Sequence, residues 1–251
     1  MPDLPPGRRP SSPWGSPSWT RPIRERLTPA IKALVIIETL VFAFIKVVPQ
    51  SQALVVEHLA LGPGMFQGEV WQLLTALFVH TDGVTLLLNL VGLWFVGAYT
   101  ERTNGTRRFL MLFLGAGVLS NLAMAGVARL TTYQTAELFF GSSYAILALF
   151  VAYGRTFGRA QTQILGGLFM QARNLALLLV GWSVVVNLYQ RDWAGLAGSL
   201  TAAAVGYFMA GGNIREVTDF IRSVWPRRAR RRYRVLDGGQ SGGGKRSKYW
   251  N

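Results

Sequence analysis

Apolar blocks close to the length of a membrane-crossing helix recur between residues 29 and 210, separated by short polar segments. Spanning about 30 Å of hydrocarbon takes about 20 helical residues. Backbone facing lipid must satisfy its own hydrogen bonds, so continuous apolar blocks of this length read as helices packed in a bundle. Half of the 251 residues are hydrophobic and 15% are charged, too few polar groups to cover a soluble domain of this size. The chain has no cysteine, which excludes disulfides, thiolate catalysis and Cys-based metal sites.

Six spans are expected, at about 29–49, 83–99, 109–130, 142–153, 169–189 and 193–210. The fourth is too short to cross alone, so its start must lie at mid-depth, enclosed by protein beside a polar cavity. Loop charges give an independent topology. Arg102, Arg107 and Arg108 follow the second span and Arg155 and Arg159 follow the fourth, while residues 50–80 contain no Lys or Arg. The positive-inside bias places both termini in the cytoplasm and the 50–80 segment outside. Trp71, Tyr133, Tyr189 and Trp193 fall near span ends and read as interfacial anchors.

The formal net charge is +14, concentrated in the flanks. Residues 1–28, rich in Pro, Ser and Arg, read as a disordered basic arm. Residues 29–211 form the membrane domain, and 212–251 a basic tail with eleven Lys or Arg against three acids. Within that tail, 212–225 is expected to form a short amphipathic helix ended by Pro226, and 238–251 is Gly-rich. In a multispan protein such clusters are basic flanks rather than nucleic-acid sites, and the cluster at 227–234 suits an anionic lipid surface at roughly 1 kcal/mol per basic residue.

The motifs come in a fixed order. The run Gly68-Glu69-Val70-Trp71-Gln72-Leu73-Leu74-Thr75 precedes Phe78-Val79-His80. Asn89, Gly97, Glu101 and Gly105 follow, then Gly141-Ser142-Ser143, and last Gly198, Ala202 and Gly206, each four apart. This order and spacing resembles the rhomboid family of intramembrane serine proteases over about 140 residues. The resemblance implies an all-α membrane protein, a six-transmembrane-helix rhomboid-like bundle with a half-buried outer loop. It also implies a Ser-His dyad, without an acid, in a hydrated cavity below the outer surface; nothing in the sequence suggests a cofactor.

Carried over by position, Ser143 stands where the family has its nucleophile and Asn89 where an asparagine helps hold the oxyanion. Thr85 stands where the family often has a second oxyanion-side histidine. His80 matches a mostly structural histidine, placed away from the serine, and Trp71 fits the outer-loop structure. Glu101 and Arg102 match a pair that ties the second and third spans together, and Gly141 begins the nucleophile turn. The residue after the serine, normally glycine, is Tyr144. Gly198, Ala202 and Gly206 match the small-residue series that lets the sixth helix approach the fourth. The position of the dyad histidine, three residues before Gly198, is Gly195.

A serine hydroxyl is a weak nucleophile until a base takes its proton, and removing one member of such a unit removes most of the rate. The only histidines are His58 and His80, 22 positions apart and without metal-site spacing. No Lys, Glu or Asp lies within the sixth span, and Asp192 at its outer end is a poor base. The implied function is a catalytically impaired rhomboid-like binder of single-span membrane proteins, at a lateral opening between the second and fifth spans. The alternatives are an active serine endopeptidase with Ser143 and an unconventional base, or a small transporter or channel, against which the lack of inverted repeats speaks. Short polar loops suit a bacterial inner membrane.

Three residues carry plainer readings. Ser143 could simply cap a helix N-terminus. Glu38, six residues beyond Lys32 in the first span, could be functional or could sit near the cytoplasmic face, reaching water or a loop arginine. His58 reads as a surface residue.

Overall fold

The computed structural model describes residues 27–48, 50–131, 138–163, 169–216 and 218–219. The expectations for the arm up to residue 26, for Tyr133, for 220–225 of the tail helix and for the Gly-rich tail lie outside them. Two compact units divide after Gly212.

In the first unit, α1 is Pro29–Val47, α2 is Ser51–Leu59, α3 is Gly83–Asn104 and α4 is Thr106–Thr131. After a gap come α5 (Ser143–Thr156), the antiparallel pair β1 (Gln161–Gln163) and β2 (Phe169–Gln171), α6 (Ala172–Gln190) and α7 (Trp193–Met209). The helices α3, α4 and α6 are long and apolar enough to cross a membrane, and α7 is a shorter apolar helix. In the second unit the described residues include one helical turn, in which Asn213 Oδ1 accepts from the Arg215 amide at 3.1 Å.

The termini of these helices follow ordinary capping chemistry. Pro29 sits in the first turn of α1, where its missing N–H costs nothing. Asp82 caps α3 by accepting from the Thr85 amide at 2.7 Å, and Asp192 caps α7 by accepting from the Gly195 amide at 2.7 Å. Glu101 holds the start of α1. Its carboxylate accepts from Thr28 Oγ1, from the Ala30 and Ile31 amides at 3.2 and 3.3 Å, and from Thr106 Oγ1 at 2.7 Å. The acid therefore joins α3 to α1 as well as to α4. Midway along α3, the Leu93–Gly97 stretch is a wider π-type turn, and a Cβ on Gly97 would lie 2.6 Å from Ile31 Cδ1.

The centre of the bundle is α5 and α7. The first packs on α3, α4, α6 and α7, and the second on α4, α5 and α6. A Cβ on Gly206 would run into the Ala148 backbone, so this glycine sets how closely α7 approaches α5. Such packing matters in lipid, where apolar surface alone does not drive helices together. Ile31, Leu93, Phe109, Phe113 and Leu149 fill the core.

The 50–80 segment is more ordered than an open loop. Buried Gln72 is its hub, accepting from the Gly62 amide at 3.0 Å and donating to the Glu57 carbonyl at 3.2 Å and Glu69 Oε2 at 2.6 Å. Asn121 of α4 donates to the Leu73 carbonyl at 2.9 Å. Leu61 and Phe139 exchange backbone hydrogen bonds at 2.9 Å, which ties the segment to the chain just before Gly141.

Candidate functional site

Gly141 has φ +101°, a left-handed conformation open to glycine at little cost, and its amide donates to the Ala76 carbonyl at 2.8 Å. This sharp turn, pinned to the 76–78 helical turn, starts α5 with Ser142 buried and Ser143 exposed. Ser143 does not act as a helix cap. Its hydroxyl donates to Asn89 Oδ1 at 3.0 Å. The Asn89 amide nitrogen in turn donates to His80 Nε2 at 2.9 Å. Asn89 is buried and His80 is fully enclosed.

His80 therefore stands one residue away from Ser143 through Asn89, nearer than the motif alone implies. A Cβ on Gly141 would lie 3.5 Å from His80 Nε2. Burial holds the imidazole below its ordinary range, with the Phe78 carbonyl pulling weakly the other way. A neutral ring that accepts at Nε2 carries its proton on Nδ1. The amide of Asn89 thus turns its acceptor to the serine and its donors to the histidine. An amide oxygen is not a base, and no other partner of the Ser143 hydroxyl occurs among the described residues.

Thr85 is not part of this chain. It is exposed, and its hydroxyl donates to Asp82 Oδ2 at 2.8 Å. The Thr85 amide and hydroxyl together hold the Asp82 carboxyl below the usual carboxylate range. Trp71 is half exposed and donates from Nε1 to the His58 carbonyl at 2.9 Å, while His58 Nδ1 meets Glu69 Oε1 at 3.0 Å. Arg102 is exposed at the end of α3. Among the described residues no cluster of His, Asp or Glu has a metal-holding arrangement.

On the other side of Ser143, α6 and α7 share a closed polar network. Ser199 Oγ accepts from Asn187 Nδ2 at 2.8 Å, meets Ser183 Oγ at 2.7 Å and donates to the Gly195 carbonyl at 2.9 Å. Gly195 is buried in the first turn of α7. A Cβ there would collide with the Asp192 carboxylate and lie 2.7 Å from Asn187 Oδ1. Tyr144 fills the adjoining space. Its ring atom Cζ lies 3.3 Å from where a Gly198 Cβ would be, and its phenol faces Ser199 and Asp192. The polar residues of α6, Ser183 and Asn187, recur four apart on one face, which was the available sequence signal for this network.

Between the two sides a cavity of about 200 Å³ opens beside Ser143 and Tyr144. Ile146, Phe150, Leu179 and Ser183 contribute to its mostly apolar wall. It lies between α5 and α6, and Gly92 of α3 approaches the same helix, since a Cβ there would come 2.9 Å from Ile146 Cγ2.

Comparison with known proteins adds a family to this geometry. A model described as "Rhomboid domain" matches residues 67–212. The chain is 32% identical to Rhomboid protease GluP of Bacillus subtilis over 93 residues, 37% of this chain and 18% of that protein. It is 31% identical to Inactive RHOMBOID-like protein 8 of Arabidopsis thaliana over 81 residues, 32% of this chain and 23% of that protein. Similarity to Rhomboid protease GlpG of Enterobacter sp. (strain 638) runs longer, at 23% identity over 192 residues, 75% of this chain and 64% of that protein. The matches cover less than two thirds of each of these relatives' own length.

Proposed function

The chain belongs to the rhomboid family and is an integral membrane protein, and from that premise we propose that it is a catalytically impaired member that binds transmembrane segments of other proteins without cutting them. The observation that carries this reading is the environment of Ser143, whose hydroxyl donates to an amide oxygen and has no base within hydrogen-bond reach among the described residues. In this reading Gly195 stands at the position of the lost dyad histidine, with Asp192, Asn187 and Tyr144 closing the space a ring would need. Asn89 and Gly141 keep the oxyanion side and the turn, and Gly198 and Gly206 keep the packing of α7.

The reading includes six spans, formed by α1 and α3 to α7. At 1.5 Å per residue α1 is roughly 28 Å long, and α5, which starts at the buried Gly141 turn, is supported by protein on all sides. Both termini lie in the cytoplasm on the loop-charge argument, the bacterial inner membrane is the setting, and the basic tail meets anionic lipid. Clients are single-span membrane proteins, admitted beside Ser143 through the side of the bundle between α3 and α6.

A second reading has its own support. Relatives on both sides of the question carry protease or inactive in their names, and His80 is linked to Ser143 through Asn89. In that reading the chain is a serine endopeptidase whose base is not the usual histidine. A cleavage assay in lipid with a helix-destabilised single-span substrate separates the two. No cleavage by wild type, with client co-purification that survives Ser143→Ala, is the expected result. Cleavage abolished by Ser143→Ala overturns the binder reading.

A further inference from the structure

Glu38 lies at the midpoint of α1 and is completely enclosed, far from the water-facing or arginine-paired position that its spacing from Lys32 suggests. Neither of its carboxyl oxygens has a hydrogen-bond partner among the described residues. The side chain it faces is Ser142, the residue immediately before Ser143, whose buried hydroxyl also lacks a partner. The two groups are neighbours with no hydrogen bond formed between them.

Among the described residues no cation reaches the pair. On α1 itself, Lys32 and Lys46 are six and eight residues away, roughly 9 and 12 Å along the axis, and Lys46 lies over the Phe42 ring. The elements packed on α1 are α2, α3, α4 and the 76–78 turn. Their charged and titratable groups, with those of the flanking residues, are engaged or distant. His58 meets Glu69, Glu101 holds the α1 N-terminus, Asp82 caps α3, and His80 holds Asn89 through Nε2. Glu57 is exposed on α2, and Arg102, Arg107 and Arg108 are exposed around the α3–α4 junction, while Arg129 lies over Phe66 at the other end of α4.

A carboxylate enclosed in an apolar core without a cation is costly, because nothing replaces the water it has lost. A carboxylic acid in the same place is neutral and has one O–H to donate, and Ser142 Oγ is there to accept it. We propose that Glu38 is an intramembrane proton-binding site, and that its bound proton bridges α1 to Ser142 and so fixes the turn that presents Ser143. The ligand is a proton, and the element it controls is the Gly141–Ser142 turn. The proposal is independent of whether the chain cuts its clients or only binds them.

The test is infrared spectroscopy of the purified full chain in lipid, with glutamate labelled with carbon-13 in its side-chain carboxyl. At neutral pH the wild type shows the carbonyl band of a protonated glutamic acid. That band disappears in Glu38→Gln and moves to higher frequency in Ser142→Ala, where its hydrogen bond is lost. Glu38→Gln, which keeps shape and a donor, melts close to wild type, whereas Glu38→Ala melts lower. A wild-type spectrum with no protonated glutamic acid band overturns the proposal without reference to any variant. A band that persists in Glu38→Gln also overturns it, and one unmoved by Ser142→Ala overturns the link to the turn.

Discussion

Ser143 has two flanks, and they differ in what their polar groups are connected to. On the α3 side, Asn89 and His80 are hydrogen-bonded in series to the serine. On the α6–α7 side, Ser183, Asn187, Ser199 and the Gly195 carbonyl are bonded to one another and not to the serine. Both flanks are polar, but they differ in satisfaction too: the α6–α7 groups are bonded among themselves, whereas His80 Nδ1 is buried without a hydrogen-bond partner among the described residues. Only the first is wired to Ser143. In the reading proposed above, the family scaffold keeps its packing while one half of its site changes from a group that takes protons into a network that only holds helices together.

The largest effect that would break this comparison is a return of chemistry. Gly195→His alone is expected to give no cleavage, since the Tyr144 ring occupies the adjoining space and the new Cβ displaces the Asp192 cap. Gly195→His combined with Tyr144→Gly opens a path from the imidazole to Ser143. Cleavage of a single-span substrate should then rise by roughly 10³-fold or more, the scale on which a serine depends on its base. Equal activity in the single and double variants would show that Tyr144 is no obstacle.

A second prediction weighs the flanks against each other by stability. Asn89→Ala strands the Ser143 hydroxyl and enclosed His80 Nε2 together, at a cost of about 1–3 kcal/mol. Asn187→Ala should cost less, about 1 kcal/mol, because Ser199 keeps Ser183 and the Gly195 carbonyl. Thermal melts of the two variants under one set of conditions measure the difference, and a larger loss in Asn187→Ala reverses the ranking.

Acid should separate the flanks too. Because burial places His80 below the ordinary imidazole value in the folded protein, the unfolded chain binds the proton more readily. Its contribution is therefore complete above about pH 6.5 and is lost as pH falls through that value toward the depressed one. Protonation also turns Nε2 into a donor facing the donor of Asn89. Wild type should lose melting temperature on this acid limb and His80→Gln should lose less, while Asn187→Ala keeps the wild-type slope. An identical slope in His80→Gln would assign the limb to another group.

Much of this was legible along the chain, and the reasons for the rest are specific. Apolar blocks, the Gly141-Ser142-Ser143 turn and the four-residue spacing of Gly198, Ala202 and Gly206 are local patterns, and the structure carries helices and a tight turn there. The helix of 51–59 and the strands β1 and β2 lie in segments short of such periodicity. Glu38 was ambiguous because distance from Lys32 along the chain says nothing about depth, which the full length of α1 decides. The partner of Ser143 and the filling of space by Tyr144 depend on which faces of α3, α5 and α7 meet, and those are tertiary facts. Thr85 shows the converse, where a local rule prevails: a capping aspartate three residues earlier takes up its hydroxyl.

The smallest expected effect tests whether Asp192 is more than a helix cap. Its carboxylate accepts the Gly195 amide at 2.7 Å and leans over the buried glycine, so among the described residues it is the acid at the place a base would occupy. If it only caps α7, Asp192→Asn keeps the hydrogen bond and melts within a few tenths of a kcal/mol of wild type. Asp192→Ala then costs about 1 kcal/mol, and neither variant changes client binding or any residual cleavage. If Asp192 instead supplies the proton acceptor for an active Ser143, Asp192→Asn must abolish cleavage while leaving the melt in place. The cap and the base predict opposite outcomes for this one isosteric change, which makes it a sensitive probe of whether the α6–α7 flank has any link to the serine.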